Sequence, residues 1–313
     1  MATYIAKRLF GMIVVMFIVL TTVFIIVRLA PGDPAALMLG PDATMADIAA
    51  LRQTIGLDQP IAVQYVSFLG HMAEGDLGRS IFFNAPVREI IAARAEPTAL
   101  LTLFSILISV VIALPVGVLS AYTRGTLFDQ GALSSAMLAA SVPSFWLGLM
   151  FQQYLATGAG WFPVSGFGAP DASFLERLRY LALPSIVLGI VNSALIIRFS
   201  RAAMLDVLND DYVRTARAKG MSEWRVMVRH ALKNALIPIV TVVGLTFALL
   251  ISGAIVTERV FNLPGLGSLV VGAVLRRDYP VIQGVLVVIA GLYVLINLLV
   301  DLLYLAIDPR VKY

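Results

Sequence analysis

Cysteine is absent from this chain of 313 residues, and histidine occurs twice, at His71 and His230. The first absence excludes a disulfide framework, thiol catalysis and a cysteine-ligated metal. Charge is also scarce. Asp, Glu, Lys and Arg make up 13% of the residues against 59% hydrophobic, and the mean hydropathy is +0.90. A soluble domain carries about 25% charged residues. This chain therefore lacks the polar surface to cover a globule in water, and a polytopic membrane protein is expected. Low-complexity segments, internal repeats and a G-x(4)-G-K-[ST] nucleotide loop are lacking as well. Without that loop the chain has no P-loop cradle for nucleotide phosphates.

Six apolar runs are long enough to cross a bilayer: 9–30, 97–122, 132–157, 180–199, 236–257 and 281–305. The first exceeds a signal-peptide core and no small-x-small cleavage site follows, so it is read as a retained span. Lys7 and Arg8 before it, together with a basic stretch near residues 214–233, place both termini in the cytoplasm by the positive-inside rule. The net charge of +4 and pI near 9.4 then report topology, and nucleic-acid binding is not expected. On this orientation His71 and His230 lie on opposite sides of the membrane, which leaves no metal site. Ser165 in "VSGFG" has no intramembrane histidine to activate it. Arg28 and Asp301 lie near span ends, where long side chains snorkel.

Pro115, Pro143, Pro184 and Pro238 fall within or at the start of spans, where each removes a backbone donor and favours a kink. Gly244, Ala248 and Ser252 recur at spacing four, suiting close helix approach or a narrow pore lining. Asn192 and Ser193 are polar within the fourth run and are further candidates for a translocation path. Glu258 ends the fifth run and is assigned to holding the following "FNLPGLG" loop ahead of facing the path.

The first connection, 31–96, reads as a helical cap on the extracytoplasmic face. Thr44 with Asp47 makes a capping box, Ile48, Leu51 and Ile55 share a face, and Gly56 can end the helix. Pro60 begins a second helix carrying Tyr65, Phe68, Leu69 and Met72. "GDLGRS" is a turn, and Asn84 and Pro86 begin a third helix with Val87, Ile90 and Ile91 inward. Asp76 and Arg79 on that turn are candidates for docking a partner.

The second connection, 200–235, contains "DDYVRTARAKGMSEWRVMVRHALKNALIP". Asp210 and Asp211 suit a helix start, Lys219 its end, and Gly220 the left-handed C′ position. Ser222 caps a second helix, on which Met221, Trp224, Val228, Leu232 and Ala235 mark an apolar side. Arg225, Arg229 and Lys233 form a cationic stripe on another face, suited to anionic lipid. The first helix is too short to be stable alone in water, so a partner surface is expected beside it.

These residues resemble the cytoplasmic "EAA" loop of ABC importer permeases. The frame places Arg214, Thr215 and Ala216 on its E-A-A positions and Gly220 on its glycine. "DYVRTARAKG" with "RHALKNALIP" is similar to the dipeptide/oligopeptide/nickel branch. So are "YIAKRLF", "APGDPAALMLG", "GLDQPIAVQY", "GDLGRS", "VPSFWLGL", "FPVSG", "RFSRAAMLDVL", "ERVFNLPGLGSLV" and "DPRVKY", in the order of its B-type subunit. The resemblance implies an all-α, six-span, type I ABC importer permease fold forming one transmembrane domain over residues 1–313. It also implies a non-catalytic subunit of the bacterial inner membrane. Expected partners are a homologous second permease, two cytoplasmic ATPase subunits that bind ATP and Mg, and an extracytoplasmic substrate-binding protein. The implied cargo is a short peptide, with a nickel chelate, glutathione or another small solute as alternatives.

The resemblance makes the first hairpin helix a coupling helix, with Asp211, Tyr212, Arg214, Thr215, Ala216, Arg217, Ala218, Lys219, Gly220 and Met221 as ATPase contacts. The rivals from other classes are a stand-alone secondary transporter, which would show inverted repeats or central ionisable groups, and a membrane-embedded enzyme, which would show a catalytic cluster.

Overall fold

A computed structural model describes residues 2–29, 33–40, 43–54 and 56–307. Thirteen α-helices run through these residues: α1 (Ala2–Leu29), α2 (Pro34–Leu39), α3 (Met45–Thr54), α4 (Ile61–Ala73), α5 (Val87–Tyr122), α6 (Leu127–Ser141), α7 (Ser144–Phe151), α8 (Phe174–Leu208), α9 (Asp211–Ala218), α10 (Glu223–Arg225), α11 (Leu232–Val260), α12 (Leu266–Arg276) and α13 (Tyr279–Ile307). Two π-helical stretches, Gln152–Gly158 and Val226–Ala231, follow α7 and α10. Five segments are long and apolar enough to cross a membrane by themselves, and Leu127–Ser141 with Ser144–Gly158, bent by 96° between them, make a sixth if the pair is one span.

The bend lies at Pro143, one of the prolines expected to kink a span, within the third expected run, 132–157. Val142 is extended and Pro143 starts α7 at φ −61°. Proline disfavours helical backbone in the residue before it, which ends α6 there. Pro97, Pro115, Pro184 and Pro238 sit inside continuous helices. The helix expected after Pro86 is not a separate cap element. It is the first part of α5, which continues through Pro97 to Tyr122.

The chain forms two compact units. One comprises Met1–Glu96 and Gly265–Leu295. Its core joins Val87 and Ile91 of α5, Leu266, Leu269, Val270 and Ala273 of α12, and Val281 and Val285 of α13. A Cβ on Gly284 would fall 2.6 Å from Val87 Cγ1, so only glycine permits this contact. α12 begins at Leu266, within the "FNLPGLG" stretch. The capping box forms as expected: the Thr44 hydroxyl donates to Asp47 at 2.6 Å, and the Asp47 amide donates back at 3.2 Å. Gly56 is left-handed at φ +70°, whereas Ile55 lies outside the described residues. α4 packs on α1 through Phe24, whose ring centroid lies 5.2 Å from Tyr65 and 5.5 Å from Phe68.

A buried carboxylate organises the 80–83 turn in the same unit. Asp278 accepts from the Ser80 hydroxyl at 2.5 Å and from the Ile81 and Phe82 amides at 3.2 Å each. The Arg276 guanidinium lies 3.8 Å from the Phe82 ring centroid.

The second unit, Pro97–Pro264 with Ile296–Tyr313, is built around α8. Fourteen α8 residues are buried. Glycines set its closest approaches. At Gly117 of α5 a Cβ would fall 2.7 Å from Ser200 Cβ, and at Gly189 of α8 one would fall 2.5 Å from Ile108 Cγ2. Outward-facing side chains such as Phe10, Ile13, Phe17 and Ile18 on α1 are exposed, as suits contact with lipid hydrocarbon.

Candidate functional site

The basic hairpin sits at the end of α8. Asn209 closes α8, Asp210 takes the N-cap position of α9 in extended conformation, and α9 runs for eight residues. Lys219 is the C-cap and Gly220 follows at φ +76°. Glycine adopts that left-handed conformation without the Cβ penalty other residues meet. Nothing lies within 4 Å of a Cβ built at Gly220, so the requirement there is conformational and not steric.

α9 has two distinct faces. Val213 and Ala216 are buried and pack with Val226, Val207, Leu208 and Met221. Asp211, Tyr212, Arg214, Thr215, Arg217, Ala218, Lys219 and Gly220 are all exposed. Ala216 was expected at a contact surface, but its side chain is turned inward and anchors the helix. Val213 is the anchoring residue that the motif-based reading passed over. Its period with Ala216 is the signal that could have found it.

Two polar links brace the hairpin. Arg217 donates from Nε to Glu223 Oε1 at 2.9 Å and from Nη2 to Oε2 at 3.3 Å, bridging the break at Gly220. Asn234 Nδ2 donates to the Tyr212 hydroxyl at 2.7 Å, tying α9 to α11. The Arg214–Asp211 pair, 3.5 Å apart and exposed, contributes little.

The second hairpin helix departs from expectation. Ser222 holds the N-cap position, but its side chain makes no capping hydrogen bond. Trp224 and Val228, expected on the apolar side, are 67% and 40% exposed, while Val226, Met227, Ala231 and Ala235 are buried. Val228 lies within the π-helical stretch Val226–Ala231. An i→i+5 turn adds a residue per turn and shifts the phase of every side chain after it. Arg225, Arg229 and Lys233 remain exposed.

Beneath the hairpin the second unit is clamped by an ion pair. Arg201 of α8 donates to Asp129 of α6 at 2.6 and 2.7 Å, and Asp129 also accepts from the Ser120 hydroxyl and the Gly125 amide. Asp129 is 3% exposed. Sequence spacing carries no signal for this pair.

The candidate path residues lie on two helices, Asn192 and Ser193 on α8 and Gly244, Ala248 and Ser252 on α11. Asn192 donates to Leu188 O and Ser193 to Ile190 O, both within α8. Ser193 also lines a mostly apolar cleft of about 470 Å³ among α5, α6 and α8. Gly244 is buried, where a Cβ would lie 2.8 Å from Val300 Cγ2. Ala248 is half-buried and Ser252 exposed. Glu258 is buried and accepts from the Thr98 hydroxyl at 2.6 Å, while its backbone carbonyl accepts from the Leu263 amide and closes the following turn.

Asp76 and Arg79 build their own turn. Asp76 accepts from the Gly78 amide at 2.9 Å, and Arg79 donates to the side chain and carbonyl of Asn84.

Residues 113–313 match the family described as binding-protein-dependent transport system inner membrane component, and residues 1–100 match its N-terminal membrane component. The chain is 44% identical over 313 residues to a probable peptide ABC transporter permease protein of Sinorhizobium fredii, covering all of both chains. It is 42% identical over the same full span to a glutathione transport system permease protein of Salmonella typhi, and 43% identical to a putative peptide transport system permease protein of Brucella abortus. Among solved structures it resembles an inward-facing form of the MetNI methionine ABC transporter. That likeness has a TM-score of 0.59 at 21% identity, covers 70% of this chain and 96% of the other, and shows the fold. By these full-length relations and the architecture described above, the chain belongs to the family of binding-protein-dependent transport system inner membrane components, as an ABC importer permease.

Proposed function

We propose that this permease moves short peptides inward across the bacterial inner membrane, working beside a homologous second permease, two cytoplasmic ATPase subunits and an extracytoplasmic binding protein. ATP and Mg belong to the ATPases, and this chain does no chemistry of its own. Both termini and residues 200–235 face the cytoplasm, and residues 31–96 face outward.

The observation that carries the reading is the construction of α9. Its inner face is fixed by Val213 and Ala216, and its outer face presents Arg214, Thr215, Arg217 and Ala218. A short helix so anchored can act as a rigid contact for a cytoplasmic groove. Closure of the ATPase dimer around ATP would move paired coupling helices together and open the path outward. Hydrolysis would then reset it, an alternating equilibrium biased by the partner.

The relatives named for peptide transport support a peptide cargo, and the relatives named for glutathione transport favour a second reading within the same machinery. Uptake by proteoliposomes holding the complete complex tests both. ATP-dependent and binding-protein-dependent accumulation of a labelled dipeptide is the expected result. Accumulation of glutathione that excess dipeptide fails to inhibit would replace the peptide reading with the second.

A further inference from the structure

Two phenylalanines stand exposed on a turn that the first unit holds still. Phe82 and Phe83 are 56% and 43% exposed, and their rings meet edge to face with centroids 5.2 Å apart. The turn is fixed by groups other than these rings. Buried Asp278 accepts from the Ser80 hydroxyl and from the Ile81 and Phe82 amides, and Ser80 Oγ accepts from the Phe83 amide at 2.9 Å. Rings on so fixed a turn lose little further freedom when covered, which is what a protein interface needs of its anchors.

Arg276 completes the patch. Its guanidinium stacks on Phe82, and it is exposed with no hydrogen bond or ion pair among the described residues. Stacking occupies one face of the guanidinium. Its N–H donors lie in the plane and stay open to a carboxylate. Asp76 and Arg79, by contrast, are engaged with the backbone and side chain of their own turn.

A lipid surface also takes aromatic and arginine side chains together, and distance decides against it. Arg88, Glu89, Arg94 and Glu96 lie on the first part of α5, so hydrocarbon begins no earlier than Pro97. Val87 stands about 15 Å before Pro97 along the helix, and about 11 Å even at a tilt of about 40°. The headgroup layer is only about 5–8 Å deep on each side. The turn lies at the level of Val87 or beyond. The Val87 amide donates to Gly78 O, Gly284 of α13 lies against Val87, and Asp278, which holds Phe82, comes before α13 begins. The patch therefore faces water, where a soluble protein can reach it.

We propose that Phe82, Phe83 and Arg276 form a seat for the extracytoplasmic binding protein, the rings entering an apolar recess on it and Arg276 pairing with one of its carboxylates. This rests on the import reading above, which supplies the binding protein and puts the turn on its side of the membrane.

The test uses the complete complex in phosphatidylcholine nanodiscs and the purified binding protein that supports its dipeptide uptake. Phe83→Ala should weaken binding of that protein about tenfold, as loss of an interface anchor does. Arg276→Gln should weaken it less and flatten its dependence on salt, because one charged contact is lost. Both complexes should keep their thermal midpoint, since Asp278 and Ser80 hold the turn without these side chains.

Unchanged affinity in both variants would overturn the seat and leave peptide import standing. If the unsubstituted complex takes up dipeptide with no binding protein present, the binding-protein-dependent reading and the seat fall together. Weakening in phosphatidylglycerol nanodiscs alone would assign the rings to a lipid surface. Loss of the second permease from the Phe83→Ala complex would assign them to a contact between permeases. Either result would overturn the seat.

Discussion

Arg201 grips Asp129 through two parallel hydrogen bonds, Nε to Oδ1 at 2.6 Å and Nη2 to Oδ2 at 2.7 Å. The pair joins the first turn of α6 to α8, ten residues before the hairpin helix begins, with Ser120 and the Gly125 amide completing the carboxylate's shell. Breaking a buried pair by removing one partner leaves an uncompensated charge and costs about 3–5 kcal/mol. Asp129→Asn should therefore lower the thermal midpoint of the detergent-purified permease markedly. Asp129→Asn with Arg201→Gln should cost less than the two single variants together, because the pair acts as a unit. Additive losses in that cycle would show that the two residues stabilise the unit independently.

Gly220 makes a second prediction. A β-branched residue at φ +76° is a strained outlier, whereas asparagine tolerates the left-handed region better. Gly220→Val should re-aim the outer face of α9 and leave an assembled complex that hydrolyses ATP without responding to loaded binding protein. Gly220→Asn should be milder. Normal dipeptide uptake by the valine variant would show that the shape of the hairpin is immaterial to transport.

Glycine spacing along the helices separates steric need from tolerance. At Gly117 an added Cβ meets Ser200 Cβ at 2.7 Å and Ile197 O at 2.9 Å, while at Gly131 it meets nothing within 4 Å. Gly117→Ala should destabilise by about 1–3 kcal/mol through overpacking. Gly131→Ala should be neutral or stabilise by up to about 1 kcal/mol through helix propensity. Thermal unfolding of the two variants side by side checks the contrast. Equal effects would mean that α5 and α8 are not so closely packed at this level.

The local signals were legible because they act through neighbours in sequence. Thr44 with Asp47, the left-handed Gly220 and the apolar runs all depend on residues within a turn or a helix length. What escaped acts across the fold. Thr98 with Glu258, Ser80 with Asp278 and Asp129 with Arg201 are brought together by packing, and no spacing rule links them. The π-helical stretch at Val226–Ala231 carries Val228 outward, because a 3.6-residue period does not survive an inserted residue.

Topology makes the fourth prediction. Single cysteines at Asp47→Cys and Glu223→Cys in this cysteine-free chain should differ on intact spheroplasts, the first reacting with an impermeant maleimide and the second not. Labelling at position 223 without labelling at 47 would invert the orientation drawn from Lys7, Arg8 and the hairpin.

The central claim is that the outer face of α9 meets the ATPase. Ala218 is exposed on that face and Val213 is buried on the opposite one. In the assembled complex, Ala218→Cys treated with a short thiol-to-amine crosslinker should join the permease to an ATPase subunit, and Val213→Cys should not. A complex that hydrolyses ATP yet yields no crosslink from Ala218→Cys, or yields it equally from Val213→Cys, would contradict the account.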